Sequence, residues 1–226
     1  FIVITGFFYF PLLISLPYYL SIYEISFINS YFEAISGFTS TGFTIFENVK
    51  KIDEPLLIWR SGSQWLGGLY FLCSLFLLAE SPRIKIKNIY TNYESVNLSE
   101  IRNQYTKVLL IYFLLTALVF ILLTYSGIRL FEGFNLSMTI ISAGGFIPVN
   151  FLSEILRSEN QILIFSFSML IPFFSLYLIY NMIFGDRSLI NNKEDLYLLI
   201  LLLFILITTY IFFSKIFGFS SIIFAV

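Results

Sequence analysis

The chain of 226 residues contains no histidine and a single cysteine, Cys73. Without imidazole, and with its one thiol set in an apolar run, it can assemble neither a zinc site nor a disulfide framework. Charge is scarce: 12% of residues are Asp, Glu, Lys or Arg, about half the share of a soluble domain. Its 13 basic and 14 acidic side chains leave a net charge of −1, too weak a field to hold a nucleic acid. Enzymatic chemistry lacks its parts as well. There is no histidine base, no cysteine–histidine pair and no pair of acids inside an apolar run, so nothing is placed to act as positioned acid, base or nucleophile. Gly185-Asp186 reads as a helix terminus and loop. No basic leader with a small-residue cleavage site precedes the first apolar run. The opening at Phe1 and the apolar close over Phe217–Val226 read as a segment of something longer.

What is abundant is apolar surface: 58% of residues are hydrophobic, 20% aromatic, and mean hydropathy is +0.87. A helix needs roughly 20 apolar residues to cross a bilayer, and five stretches meet that length: Ile2–Ser21, Leu56–Ala79, Val108–Tyr125, Ile162–Phe184 and Leu196–Phe213. The first contains Pro11 and Pro17, tolerated in membrane helices, and a kink is expected near Pro17. Residues 22–55 and 126–161 each hold a semi-apolar run too short to span, which must dip in and return. The segment 80–107 carries Arg83, Lys85, Lys87, Arg102 and Lys107 against three acids, Glu80, Glu94 and Glu100, and the positive-inside rule makes it cytoplasmic. It either docks a cytosolic partner or only sets topology. The two re-entrant segments, rich in acids, then face outward. Tyr18, Tyr19 and Trp59 are expected interface anchors, and Gly67-Gly68 is expected to permit close helix packing.

The two outward segments repeat one another. Residues 32–42 (FEAISGFTSTG) lie alongside 134–144 (FNLSMTIISAG) at a constant offset of 102 residues, each a short helix-compatible run ending in small residues and a glycine. The unit is helix, re-entrant loop, helix. Irregular backbone at membrane depth survives where it lines a watery cavity, and there it can offer carbonyl oxygens in place of an ion's hydration shell. Gly42 and Gly144 permit the positive φ that turns successive carbonyls to one axis. Hydroxyls of Thr39, Ser40, Thr41 and Ser142 add oxygen ligands suited to a hard cation. The short helices, roughly 30–38 and 132–140, would aim their negative C-terminal ends inward. Glu33 and Glu132 are expected in their first turns, gathering cations at the mouth. Arg60 has two roles open to it: bracing the loop by pairing with Glu33 or Glu47, or snorkelling outward.

Residues 32–44 (FEAISGFTSTGFT) resemble the first filter of TrkH-like subunits in the Trk/Ktr/HKT potassium-transporter superfamily. Residues 59–68 (WRSGSQWLGG) are similar to the start of that family's next helix, and 141–146 (ISAGGF) to its second filter. Leu16-Pro17-Tyr18-Tyr19-Leu20-Ser21 resembles the end of the preceding helix, so the likeness covers nearly the whole chain. It implies an all-α polytopic membrane protein with two helix–pore loop–helix repeats plus the first helix of a third, hence five spans and two re-entrant pore helices. The units are repeat one over 1–80, a cytoplasmic loop over 81–107, repeat two over 108–185, and a loop with the opening helix of repeat three over 186–226.

The implied function is potassium uptake across the cytoplasmic membrane. K+ is then the transported ion, with no organic cofactor. It would be held by Thr39, Ser40, Thr41, Gly42 and Phe43 and by Ile141, Ser142, Ala143, Gly144 and Gly145, with Glu33, Arg60 and Glu132 in support. Implied partners are a second copy in a homodimer, a cytosolic nucleotide-binding ring and membrane lipids. Three departures stand out: Ala143 where the family commonly has threonine, the bulky Phe43 after the first glycine, and Pro172 where the family tends to have glycine. They leave two alternatives, a less selective Na+/K+ transporter and a non-conducting assembly subunit.

Overall fold

The computed structural model describes residues 2–23, 25–90, 98–173 and helical positions between Tyr197 and Thr208. These are helices and irregular loops, with no strand among the described residues. In chain order they are α1 (Ile2–Ser21), α2 (Phe27–Phe38), α3 (Glu54–Tyr90), α4 (Leu98–Tyr125), α5 (Leu130–Ile141) and α6 (Glu159–Met169), with 3-10 turns at Val49–Lys51, Leu152–Glu154 and Ile171–Phe173. The far part of the fourth expected span, 174–184, and the loop at 185–195 lie outside the described residues.

The helix ends follow from local chemistry. The Ser26 hydroxyl accepts the Asn29 N–H at 3.2 Å and caps α2. Ser158 and Gln161 form a reciprocal capping box on α6, satisfying donors that the first turn leaves orphaned. α6 stops at Met169 and tightens into a 3-10 turn around Pro172, because proline lacks the N–H that would continue the α-helical ladder. α1 continues through both Pro11 and Pro17. The expected cytoplasmic loop over 81–107 is largely helix: α3 extends to Tyr90 and α4 begins at Leu98. Its Lys, Arg and Glu residues are good helix formers, and composition alone does not separate a charged helical extension from a loop.

Two units of three helices result. In the first, α2 packs against α1 and α3 around Ile14, Tyr18, Ala34, Phe38 and Leu56. In the second, α5 packs against α4, with α6 beside it, around Val119, Leu123, Leu136, Ile140 and Phe165. α3 joins the units by also packing on α5. Indole and phenol groups fasten the long helices: Trp59 Nε1–H donates to the Ile14 carbonyl at 3.0 Å, Tyr70 O–H to that of Val3 at 3.0 Å, and Trp65 Nε1–H to Thr116 Oγ1 at 2.9 Å. Tyr18, expected at the interface, is instead fully buried, while its neighbour Tyr19 is exposed.

Val3–Ser21 and Tyr105–Tyr125 are long and apolar enough to cross a membrane. Their outer faces carry Phe8, Leu12 and Leu16, and Leu109, Phe113 and Ile121. Apolar residues outside as well as inside are the pattern of a helix in lipid.

Candidate functional site

α2 and α5 end in the same way, and the structure fixes their register. Phe27 and Phe38 bound α2 as Leu130 and Ile141 bound α5, one residue beyond the offset read from the sequence. Three backbone bonds of the turn repeat in that register. Thr39 N–H donates to Ile35 O and Ser142 N–H to Met138 O; Ser40 N–H to Gly37 O and Ala143 N–H to Ile140 O; Thr41 N–H to Ser36 O and Gly144 N–H to Thr139 O. The hydroxyls of Ser36 and Thr139 then cross each turn, donating to the Phe43 carbonyl at 2.6 Å and the Phe146 carbonyl at 2.8 Å. Gly42 therefore corresponds to Gly145, and Thr41 to Gly144.

This register changes why each glycine is required. Gly42 has φ +80°, as expected, but Gly144 is not left-handed; the equivalent strain sits at Ser40 (φ 54°) and Ala143 (φ 51°). Left-handed geometry costs an L-residue about 1–2 kcal/mol, and such strain persists only where surrounding bonds over-determine it. Here the repeated turn bonds and the crossing hydroxyls do so. Gly144 is needed for space: a Cβ there would lie 2.5 Å from Gln64 Cδ. Gly42 and Gly145 face each other so closely that a Cβ on Gly42 would lie 2.8 Å from Gly145 Cα.

The other expected site residues fall as follows. The Thr39 hydroxyl donates to Ile35 O at 2.7 Å and lies 2.6 Å from that of Thr41. The Ser142 hydroxyl donates back into α5, within reach of Met138 O and Thr139 O. Both protons are thus spent on the backbone, and only oxygen lone pairs remain for a ligand. The Phe43 ring is exposed. Ile141 is the last residue of α5 and its side chain belongs to the core, so it stands before the loop. Thr39, Ser40, Ser142 and Ala143 line a cavity of about 570 Å³ walled by Phe7 and Phe38. The C-terminal ends of α2 and α5 both abut it, each carrying about half a negative charge.

Glu33 does not lie in a first turn, because α2 begins at Phe27. It is fully buried and paired with Arg60, Oε1 to Nε at 2.9 Å. Its carboxylate also accepts from the Thr44 hydroxyl at 3.0 Å and the Ile45 N–H at 3.0 Å. The first of the two roles open to Arg60 is the one realised, with Glu33 rather than Glu47. Its guanidinium further donates to Thr44 Oγ1 at 3.2 Å and to Ile147 O at 3.4 Å, and stacks 4.2 Å from the centre of the Phe146 ring. Glu132 is in the first turn of α5, 3.5 Å from Arg129. Gln64 was not singled out in the sequence, yet its Oε1 accepts the Phe146 N–H at 3.2 Å. The signal available for it was a polar side chain one turn after Arg60 in an apolar helix. The Gly67-Gly68 pair brings α3 against the end of α2: a Cβ on Gly67 would collide with Phe38 O.

An all-helical chain with two apolar-sheathed units and paired, strained loops at the ends of short helices has the fold of a membrane transporter. Across the whole chain it superposes on the crystal structure of the potassium transporter TrkH from Vibrio parahaemolyticus, with a TM-score of 0.78 over 99% of this chain and 48% of that one, at 19% identity. An uncharacterized cation transporter of Methanocaldococcus jannaschii is 36% identical over 141 residues, which is 61% of this chain and 29% of that protein. The Trk system potassium uptake protein TrkI of Halomonas elongata is 40% identical over 55 residues, 24% of this chain and 11% of that protein. No family model matches the chain. The fold and these relatives together relate the chain to the Trk/Ktr potassium transporters. It spans less than a third of the curated relatives and about half of the solved structure.

Proposed function

We propose that this chain supplies two quadrants of a potassium-conducting pore, with 39–43 and 142–146 as filter loops whose carbonyl oxygens replace water around the ion. One observation carries the reading: two loops, bonded alike and held in left-handed strain, meet glycine to glycine at the negative ends of two short helices. Transporter names on the relatives support it, since one is a potassium uptake protein and another a cation transporter. No protein acid, base or nucleophile takes part, because passage of an ion breaks no covalent bond. In this reading α2 and α5 are re-entrant pore helices within a five-span arrangement in the cytoplasmic membrane, and their loops face outward. The other two quadrants, a second copy in a dimer and a cytosolic nucleotide-binding ring complete the assembly.

The test is rubidium uptake by the protein expressed from its full reading frame in cells deficient in potassium uptake. Gly42→Asp and Gly145→Asp should each abolish uptake, because each forces a carboxylate into the glycine–glycine contact. Retained uptake in both variants would refute the filter assignment and favour a non-conducting assembly subunit.

A further inference from the structure

Resting on that reading, we infer that α3 sets the geometry of both filter loops at once, and that Arg60 and Gln64 are positioning residues that govern ion selectivity in the second loop from within the first repeat. The two side chains stand one helical turn apart on α3 and are both buried. Arg60 reaches loop one through Glu33 and Thr44, and loop two through Ile147 O and the face of Phe146. Gln64 takes the Phe146 N–H and lies flush against Gly144.

Among the described residues the second repeat has no equivalent brace of its own. Leu136, buried in the core, occupies in α5 the place that Glu33 holds in α2. No charged residue follows Glu159 within α6. Loop two is tied within its own repeat by its turn bonds and by the bond from Thr139 to Phe146 O; its further polar anchors are Arg60 and Gln64 on α3 and, beyond the turn, the bonds of Asn150 to Asn48 and Val49. A displacement of α3 therefore moves both halves of the ion's coordination shell together. A weakened contact on Phe146 frees one half alone and alters the spacing between Gly42 and Gly145.

Gln64 also carries a cost that points to its use. Its Nε2 is a buried donor with no partner among the described residues, and such groups are rare enough to need a reason. The amide is kept for its oxygen, which the Phe146 N–H would otherwise lack. Glutamate or protonated glutamic acid can supply the same acceptor, whereas leucine cannot.

The experiment measures rubidium and sodium uptake for wild type, Gln64→Leu, Gln64→Glu and Arg60→Lys, together with the amount of each protein in the membrane. Gln64→Leu should lower the rubidium-to-sodium preference about tenfold, the scale of one buried hydrogen bond, and Gln64→Glu should restore it. Arg60→Lys, which keeps the charge beside Glu33 but loses the planar fork that reaches Ile147 O and stacks on Phe146, should relax preference in the same direction at unchanged membrane level. If the ratio stays at the wild-type value in both Gln64→Leu and Arg60→Lys while maximal uptake falls with protein level, the residues only hold the fold and the inference is overturned. A wild type that takes up no rubidium overturns the potassium reading itself, and this inference with it.

Discussion

The Glu33–Arg60 pair should behave as a buried ion pair whose loss is felt only when one partner goes. At 2.9 Å and an effective dielectric of about 20, the Coulomb attraction is about 6 kcal/mol. Withdrawing each ion from water costs several kcal/mol. The intact pair thus contributes little net stability, while Glu33→Gln leaves the Arg60 cation buried without its counter-ion. Breaking such a pair costs about 3–5 kcal/mol, and Arg60→Met should cost a similar amount. Glu33→Gln/Arg60→Met leaves no charge behind, and an amide oxygen in the place of Oε2 can still accept from both the Thr44 hydroxyl and the Ile45 N–H. The double variant should lose about 1–2 kcal/mol, the scale of a weakened buried hydrogen bond, so coupling within the cycle should be at least about 4 kcal/mol. Denaturant titration of the purified protein in mixed micelles gives the four free energies. Single losses below about 1 kcal/mol, the range of exposed pairs, would refute the burial argument. So would additivity within about 0.5 kcal/mol.

Three further outcomes follow from the same geometry. Gly42→Ala should lose most rubidium uptake while the protein still reaches the membrane, because its Cβ adds about 1–2 kcal/mol of left-handed strain and lies 2.8 Å from Gly145 Cα. Two alanine substitutions in α3 should move stability in opposite directions in a thermal melt. Gly67→Ala drives a methyl into Phe38 O at about 1–3 kcal/mol, whereas Gly62→Ala meets nothing within 4 Å and gains up to about 1 kcal/mol in helix propensity. Lys50→Ala removes the ion pair with Glu154, whose lysine is 55% exposed, and denaturant titration should register less than about 1 kcal/mol, shrinking further in high salt.

Hydropathy made the first three apolar helices legible, within α1, α3 and α4, since a run long enough to span leaves little else for the chain to do. The repeat was legible too, but not its register. Matching Phe32 to Phe134 and Gly42 to the first of two adjacent glycines gives an offset one residue short. The structure instead pairs Ser36 with Thr139, whose hydroxyls perform the same bond to Phe43 and Phe146. Identity of letters favoured one alignment, and identity of hydrogen bonds decides for the other. The place of Glu33 was misread for a similar reason. An acid near a helix start reads as a dipole partner, but Ser26 caps α2 several residues earlier. The burial of Glu33 depends on Arg60 arriving from another helix, which no local pattern reveals.

Strain and bracing in this site are two sides of one arrangement. Ser40 and Ala143 hold left-handed backbone that costs each about 1–2 kcal/mol, so each turn would relax if its anchors were lost. In loop one the anchors are local: Ser36 on the Phe43 carbonyl, and Glu33 on Thr44 and Ile45. In loop two the local side-chain anchor is Thr139, Arg60 and Gln64 add bonds from α3, and Asn150 is held by Asn48 and Val49. In the proposed pore, whose oxygens must keep a set spacing, such external bracing matters because loops on independent helices share no common reference. One helix carrying the braces for both loops removes that independence. In the proposed pore the rigidity of α3 therefore acts on ion selectivity alongside the loop oxygens, because the Thr39 and Ser142 hydroxyls donate to backbone carbonyls and keep their lone pairs for a cation.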